Sequence, residues 1–189
     1  MAQVDYFLKI DGITGGSVDD KHAGEIECLS FNLTTEQEGA GHRGEGGGAG
    51  KAVFHDFSWS CHVDQAFPLL KQHVATGKHA KSAIFTVRQA GGSQQEYMKI
   101  TFTNVLITEV EIHGGEHGAW GATPSKPASG LTMVAPGLPS DTKKSAIPVV
   151  RGRLNFSEVD FEFKPQKADG TLGAATKFGH SVSKNKPKG

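Results

Sequence analysis

The sequence predicts a mostly β protein: a small antiparallel β-barrel (two packed sheets) with one short flanking α-helix and two long Gly/Pro-rich loops. Three observations predict it. Met98, Ile100, Phe102, Leu106, Val110 and Ile112 share one parity, while Thr101, Thr103, Glu109 and Glu111 take the other. That period of two, held over about fifteen residues, is the mark of a half-buried antiparallel strand far longer than the usual five or six. Shorter alternating stretches recur along the rest of the chain. Only one stretch, Pro68 to Gly77, carries a helical pattern.

The elements follow in order. Val4, Tyr6, Leu8 and Ile10 alternate with Asp5 and Lys9, a first strand ending at Asp11-Gly12. Residues 25–35 form a second, with Leu29, Phe31 and Leu33 on one face and Ile26 and Cys28 on the other, a pattern that predicts cover on both sides. Residues 39–50 have no period and little side-chain volume, so residues 36–51 read as a flexible loop. Val53, Phe57, Trp59, Cys61 and Val63 alternate as a third strand. Asp64 opens a turn, and Pro68 suits a first helical position because it has no N–H to leave unpaired. Leu69, Leu70, His73 and Val74 lie on one helical face, and Gly77 ends the helix in a left-handed conformation.

Strand 83–89 leads through Gly91-Gly92 into the long strand of residues 94–112. Residues 113–146 form the second loop, rich in Pro and Gly. In the last strong strand, 147–164, Leu154 and Phe156 share one parity and Val159, Phe161 and Phe163 the other. A bulge near Ser157-Glu158 accounts for the switch. All of this fits one domain, residues 1–189, large enough to bury a core without metal or disulfide staples.

Composition narrows the function classes. Lys plus Arg and Asp plus Glu are both 20, which argues against general attraction to nucleic acid or anionic membrane. No apolar run reaches the ~20 residues that span a bilayer, and no basic segment followed by an apolar run marks a classical signal peptide. The expectation is a chain made in the cytoplasm and not exported by the usual route. Cys28 and Cys61 sit inside predicted strands without CxxC spacing; they read as two buried free thiols, with a disulfide between adjacent strands as the alternative.

Chemical motifs dissolve on inspection. Gly39-Ala40-Gly41-His42-Arg43-Gly44 matches GxGxxG, but more glycine follows where a helix must bind the pyrophosphate. Gly50-Lys51 fails the phosphate-loop pattern at Glu45 and Ala52. His113 and His117 are spaced for a metal only on a helix, which Gly114 and Gly115 oppose, so an exposed polar turn is the reading. Asp19, Asp20 and His22, near Glu25 and Glu27, lack the EF-hand order and read as a solvated loop. No nucleophile elbow occurs, and thiols in apolar strands are inert. Neither a cofactor nor a metal is expected, nor an enzyme. Phe57 and Trp59 could stack bases, but their face carries Val53, Cys61 and Val63 rather than basic residues. Trp120, a large aromatic in an exposed loop, is either packed back on its own domain or buried by a neighbour.

The ordered set of Tyr6-Phe7-Leu8-Lys9-Ile10-Asp11-Gly12-Ile13, Asp19-Asp20-Lys21-His22, Ala75-Thr76-Gly77-Lys78-His79, Val87-Arg88-Gln89-Ala90-Gly91-Gly92, Gln95-Glu96-Tyr97-Met98-Lys99-Ile100 and Lys164-Pro165-Gln166-Lys167-Ala168-Asp169-Gly170 resembles the haemolysin-coregulated protein (Hcp) family, the tube proteins of bacterial type VI secretion systems. The likeness covers residues 1–112 and 147–185; both Gly-rich loops look longer than the family requires. The resemblance implies a structural subunit that forms homohexameric rings. The rings stack into a tube that leaves through the secretion machine itself, with small effector proteins in its lumen. Sheath, baseplate and spike proteins are the implied partners, without nucleic acid and without membrane insertion. Glu109, Glu111, His113 and Trp120, at or beyond the far end of the long strand, are the candidate subunit or ring contacts. Two other readings compete: an effector or hydrolase built on the same scaffold, and a single-strand nucleic-acid-binding barrel.

Overall fold

The computed structural model describes residues 4–37, 52–89, 94–114, 147–167 and 170–188. Its strands are β1 (Val4–Ile10), β2 (Ile26–Asn32), β3 (Thr35–Gln37), β4 (Ala52–Phe54), β5 (Phe57–His62), β6 (His79–Gln89), β7 (Glu96–His113), β8 (Val149–Phe163), β9 (Thr176–Ser181) and β10 (Lys186–Pro187); helix α1 (Phe67–Thr76) lies between β5 and β6. The main sheet runs β10-β9-β8-β5-β2-β1-β6-β7, and β7 pairs back onto β8. Six strands therefore close a barrel, which removes the exposed edges that an open sheet would leave. The expected fold class holds.

Strand β8 is the junction. Val149–Leu154 pair with β5, while Glu158–Phe163 pair with β9, and β7 runs along nearly the whole of its other side. Beyond Leu154 the neighbour of β8 changes from β5 to β9, a strand outside the closed barrel, while β7 stays paired with β6 along that half.

The long strand does not keep one parity, as the sequence suggested. Ile100 and Phe102 are buried, then Val105 and Ile107, then Val110. Two devices turn the faces. Asn104 takes a left-handed conformation (φ 53°), which asparagine tolerates better than most residues. Its Nδ2 donates to Ser157 Oγ at 2.8 Å, and His79 Nδ1 meets its Oδ1 at 3.1 Å. Further on, the register against β8 slips by one residue between Ile107 and Glu109, and Thr108 is the extra residue of a bulge. Asp56 holds that bulge, accepting from Thr108 Oγ1 and from Asn155 Nδ2, each at 2.7 Å. Consequently Leu106 leaves the core face it was assigned.

In β8 the parity switch falls at Ser157-Glu158, as expected, but no bulge makes it: the register against β7 and β9 runs through unshifted. Both strands of the ribbon present two outward residues in succession, Thr103-Asn104 facing Ser157-Glu158, and turn the corner together.

Other expectations change for similar reasons. A register shift between Cys28 and Ser30 makes Leu29 a bulge, so Ile26, Cys28, Phe31 and Leu33 all pack toward the core and Leu29 is exposed. Strand β2 is thus not covered on both sides by its own side chains. Val53 is exposed in β4, which pairs with β3 as a separate two-stranded ribbon, and the core strand β5 starts only at Phe57. In α1, Pro68 stands in the first turn and Gly77 caps the end at φ 63°, as the sequence reads. Only Leu70 and His73 are buried there, while Leu69 and Val74 are partly exposed. The helix packs on β7, and Lys71 Nζ donates to the Val110 carbonyl (2.6 Å), closing an edge that β6 does not reach. The Gly91-Gly92 turn lies outside the described residues.

Inside, Phe57, Phe85, Phe102 and Phe156 stack in tilted contacts at 4.8–5.0 Å, with Phe31 4.5 Å from Phe85. Trp59 lies directly over Gly152: a Cβ on that glycine would stand 2.2 Å from the indole. A Gly152→Val substitution is expected to displace Trp59 and cost about 2–4 kcal/mol, read as a lower denaturant midpoint with reduced near-UV signal.

The segment between β1 and β2 is not the solvated loop that its acidic residues suggested. Arg88 is buried, and its guanidinium reaches Asp19 through two hydrogen bonds (2.8 and 2.9 Å) and Asp5 through a third (3.0 Å). It also sits 4.8 Å above the Phe7 ring, on which His22 stacks at 4.1 Å. His22 Nδ1 meets Glu25 at 3.0 Å. A cation buried on an apolar strand must be paired, and these contacts fasten the segment to the barrel wall. Hydrogen bonding to Arg88 holds the Asp19 carboxyl down to about 2. A depressed carboxyl stabilises the fold fully above its unfolded value and loses that contribution as pH falls through the folded one. Asp19→Asn should therefore cost about 1–2 kcal/mol at neutral pH. The difference from the parent should vanish between about pH 4 and pH 2 in urea titrations followed by circular dichroism.

Candidate functional site

The outward positions of β2, β5, β8 and β7 line up across the sheet. One row reads Ser30, Ser60, Arg151, Glu111; the next reads Asn32, Ser58, Arg153, Glu109. These side chains point away from the core because Phe31, Trp59, Gly152 and Val110 occupy the alternate positions. The rows bound a shallow depression of ≈ 190 Å³. Small hydroxyls and amides cover one half of the face and opposite charges balance on the other. Ser30 and Ser60 hydroxyls meet at 2.6 Å, and Arg153 Nε lies 3.1 Å from Glu109.

Glu109 and Glu111 stand two residues apart on this face and influence each other. Its hydrogen bond to Glu111 pushes the Glu109 carboxyl up, whereas His113, 3.2 Å from Glu111, holds the Glu111 carboxyl down. The structure thus brings Glu109, Glu111 and His113 together at the end of β7; Trp120 and His117 lie outside the described residues. Among the described residues no group of three or more His, Cys, Asp or Glu is placed to hold a metal. The two thiols are buried, and burial raises both, Cys61 to about 12, far from a nucleophile's range.

A second surface differs in kind. Past the corner, the inner face of β7, β8 and β9 continues as Ile100, Phe161 and Phe178 in one row and Met98, Phe163 and Thr176 in the next. Phe161 and Phe178 stack at 6.2 Å, and Tyr97 meets Phe163 edge-on at 6.2 Å. Phe163 is 47 % exposed and Phe178 51 %, so an aromatic stripe contiguous with the core reaches solvent. Sequence reading missed both the stripe and the partner residues Arg151, Arg153, Ser30, Ser58 and Ser60. The available signal was the alternation of Ser58-Ser60 and Arg151-Arg153; what the sequence lacked was the register that sets them side by side.

Comparison with known proteins agrees with this architecture. Residues 7–163 match the family model described as "Type VI secretion system effector, Hcp". Protein hcp1 of Pseudomonas aeruginosa is 34 % identical over 184 residues, covering 96 % of this chain and 97 % of that protein. The crystal structure of Hcp1 from Salmonella typhimurium superposes with a TM-score of 0.71 at 31 % identity, over all of both chains. A further solved type six secretion system protein superposes at 0.78 with 23 % identity, covering 98 % of this chain and all of that one, a likeness of fold. With a closed barrel that superposes on a solved Hcp protein and this extent of sequence match, the chain belongs to the Hcp family of type VI secretion tube proteins.

Proposed function

We propose that the chain is a structural, non-enzymatic subunit of a type VI inner tube. It assembles head-to-tail into closed six-membered rings that stack, and it leaves the cytoplasm through the apparatus with small effectors in the lumen. Sheath, baseplate and spike proteins are its partners there. The observation that carries this reading is the aromatic stripe of Phe161, Phe163 and Phe178, which runs off the end of the core into solvent. An exposed apolar surface of this kind is characteristic of a contact site, and a second copy covering it through a different patch forms a heterologous contact, which gives a ring when the rotation between copies is a whole fraction of a turn.

The polar rows suit the opposite requirement, a channel wall. Hydroxyls, amides and paired charges hold water and offer no sticky apolar patch, so cargo can be carried and released. Arg153 is largely exposed and Glu109 about a third exposed, and such solvent-facing pairs contribute about 0–1 kcal/mol. The face is therefore free to serve the lumen rather than the fold.

Two outcomes test this. Phe163→Glu with Phe178→Glu should weaken ring association at least ~10-fold, giving monomers by light scattering while far-UV circular dichroism stays native. A parent chain that is monomeric at high concentration would refute the assembly. Reversing both arginines, Arg151→Glu with Arg153→Glu, should leave annular particles intact by negative-stain microscopy. A pull-down should then find weaker retention of acidic cargo.

A further inference from the structure

Strands β9 and β10 lie outside the closed barrel and form a hairpin arm that carries charge of one sign. Residues 176–188 contain Lys177, Lys184, Lys186 and Lys188 and neither Asp nor Glu. Two of these lysines fasten the arm to its own chain. Lys177 Nζ reaches Glu162 at 2.9 Å, and Lys188 Nζ reaches Asp160 at 2.7 Å and Glu158 at 3.0 Å. The turn is held as well: the Val182 N–H donates to the Ser157 carbonyl (2.9 Å), and the N–H of left-handed Asn185 (φ 48°) donates to the Val182 carbonyl (3.3 Å). Lys184 and Lys186 stand at this turn, both exposed. A braced backbone thus presents two ammonium groups to solvent.

A surface of opposite charge lies on the outer side of β1 and β2. A groove of ≈ 520 Å³ there is walled by Asp5, Asp19, Glu27 and Asp64 against the one guanidinium of Arg88. Its walls are held before anything docks. Arg88 pairs with Asp5 and Asp19, Ser17 Oγ donates to Glu27 at 3.0 Å, and Asp64 accepts from the N–H groups of Gly16 (2.6 Å) and Ala66 (2.9 Å). Carboxylates gathered in a concave site focus a negative potential. Glu27 is exposed, and two apolar side chains stand near it: Leu29, 48 % exposed at the β2 bulge, and Val18, 93 % exposed between the lining residues Ser17 and Asp19. They add apolar area that a docked chain would cover.

We propose that the basic β9–β10 arm of one copy seats in the acidic groove of the next copy. The inference rests on the head-to-tail assembly proposed above and names the patch that receives the arm. Charge selects the occupant: Lys184 and Lys186 meet a groove in which carboxylates outnumber Arg88. Strand β9 stays paired with β8 over its whole length, from Ser181 opposite Glu158 to Thr176 opposite Phe163, so the arm is not free to fold back onto its own groove. Arm and groove are different surfaces, so the contact is not self-complementary and copies add in one direction. Opposite charges across it steer the encounter and fix its register. Phe178 rides on the same arm, so seating the tip carries the aromatic stripe up to the receiving copy.

The experiment compares the full chain with two charge-reversed forms, Lys184→Glu with Lys186→Glu on the arm and Glu27→Lys with Leu29→Lys at the groove. All four positions are exposed, and far-UV circular dichroism checks that each form keeps the native fold. Sedimentation should show the parent assembled, and less so as sodium chloride is raised. Each reversed form alone should associate at least ~10-fold more weakly than the parent. Mixed in equal amounts, the two forms should recover assembly, because the reversed arm fits the reversed groove and the parent arm fits the parent groove. A ring with an even number of copies accommodates that alternation. Reversed forms that assemble like the parent, a mixture that stays dissociated, or a parent assembly indifferent to salt would overturn the arm–groove contact and leave the ring reading standing. A parent chain that is monomeric at high concentration would overturn both.

Discussion

Everything in this molecule depends on the pairing of β7 with β8. It closes the barrel, and it is also the ribbon from which the rest of the sheet extends. Two strands of this length cannot stay flat while the wall curves, because the twist between neighbouring strands accumulates along them. The pair meets that constraint at two places. At Asn104 and Ser157 both strands reverse their faces in register, and at Thr108 only β7 does, by a bulge that Asp56 secures. Above the first corner the neighbour of β8 is β9, below it β5.

That division separates two kinds of surface on one sheet. Where β5 and β2 continue the wall, the inner face is sealed by Phe57 and Trp59, and the outer face is free to carry hydroxyls and balanced charge. Where β9 replaces β5, the inner face is no longer enclosed, and Phe163 and Phe178 emerge into solvent. A self-assembling subunit needs both: a surface that gains by being covered and one that stays wet. The Arg88 cluster performs a quieter task, fastening the segment before β2 to the outer face of the barrel wall.

Much of the fold was legible in the residues because period and punctuation are local. Pro68 and Gly77 bracket the helix, the alternation of Phe57, Trp59 and Cys61 marks a core strand, and the change of parity after Phe156 marks a corner. The errors cluster where a strand changes face. Leu106 looked like a core residue because it continues the parity of Phe102, yet Asn104 hands the core to Val105 and Ile107. Leu29 looked paired with Phe31 until the bulge separated them. Where apolar residues run together, as in Val105-Leu106-Ile107, periodicity does not say which parity faces the core, since that depends on what the neighbouring strand presents.

The sequence by itself determined the class of the protein. Its alternating strands, single capped helix, balanced charge and ordered likeness to a secretion tube family follow from short-range patterns that any neighbour must respect. The tertiary structure alone decided which polar residues share a face, that Arg88 meets Asp5 and Asp19, and that Cys28 faces Cys61. Those meetings join residues far apart in the chain. They are set by strand register and barrel closure, where shifting one strand by one residue exchanges everything it shows to the core for everything it shows to water.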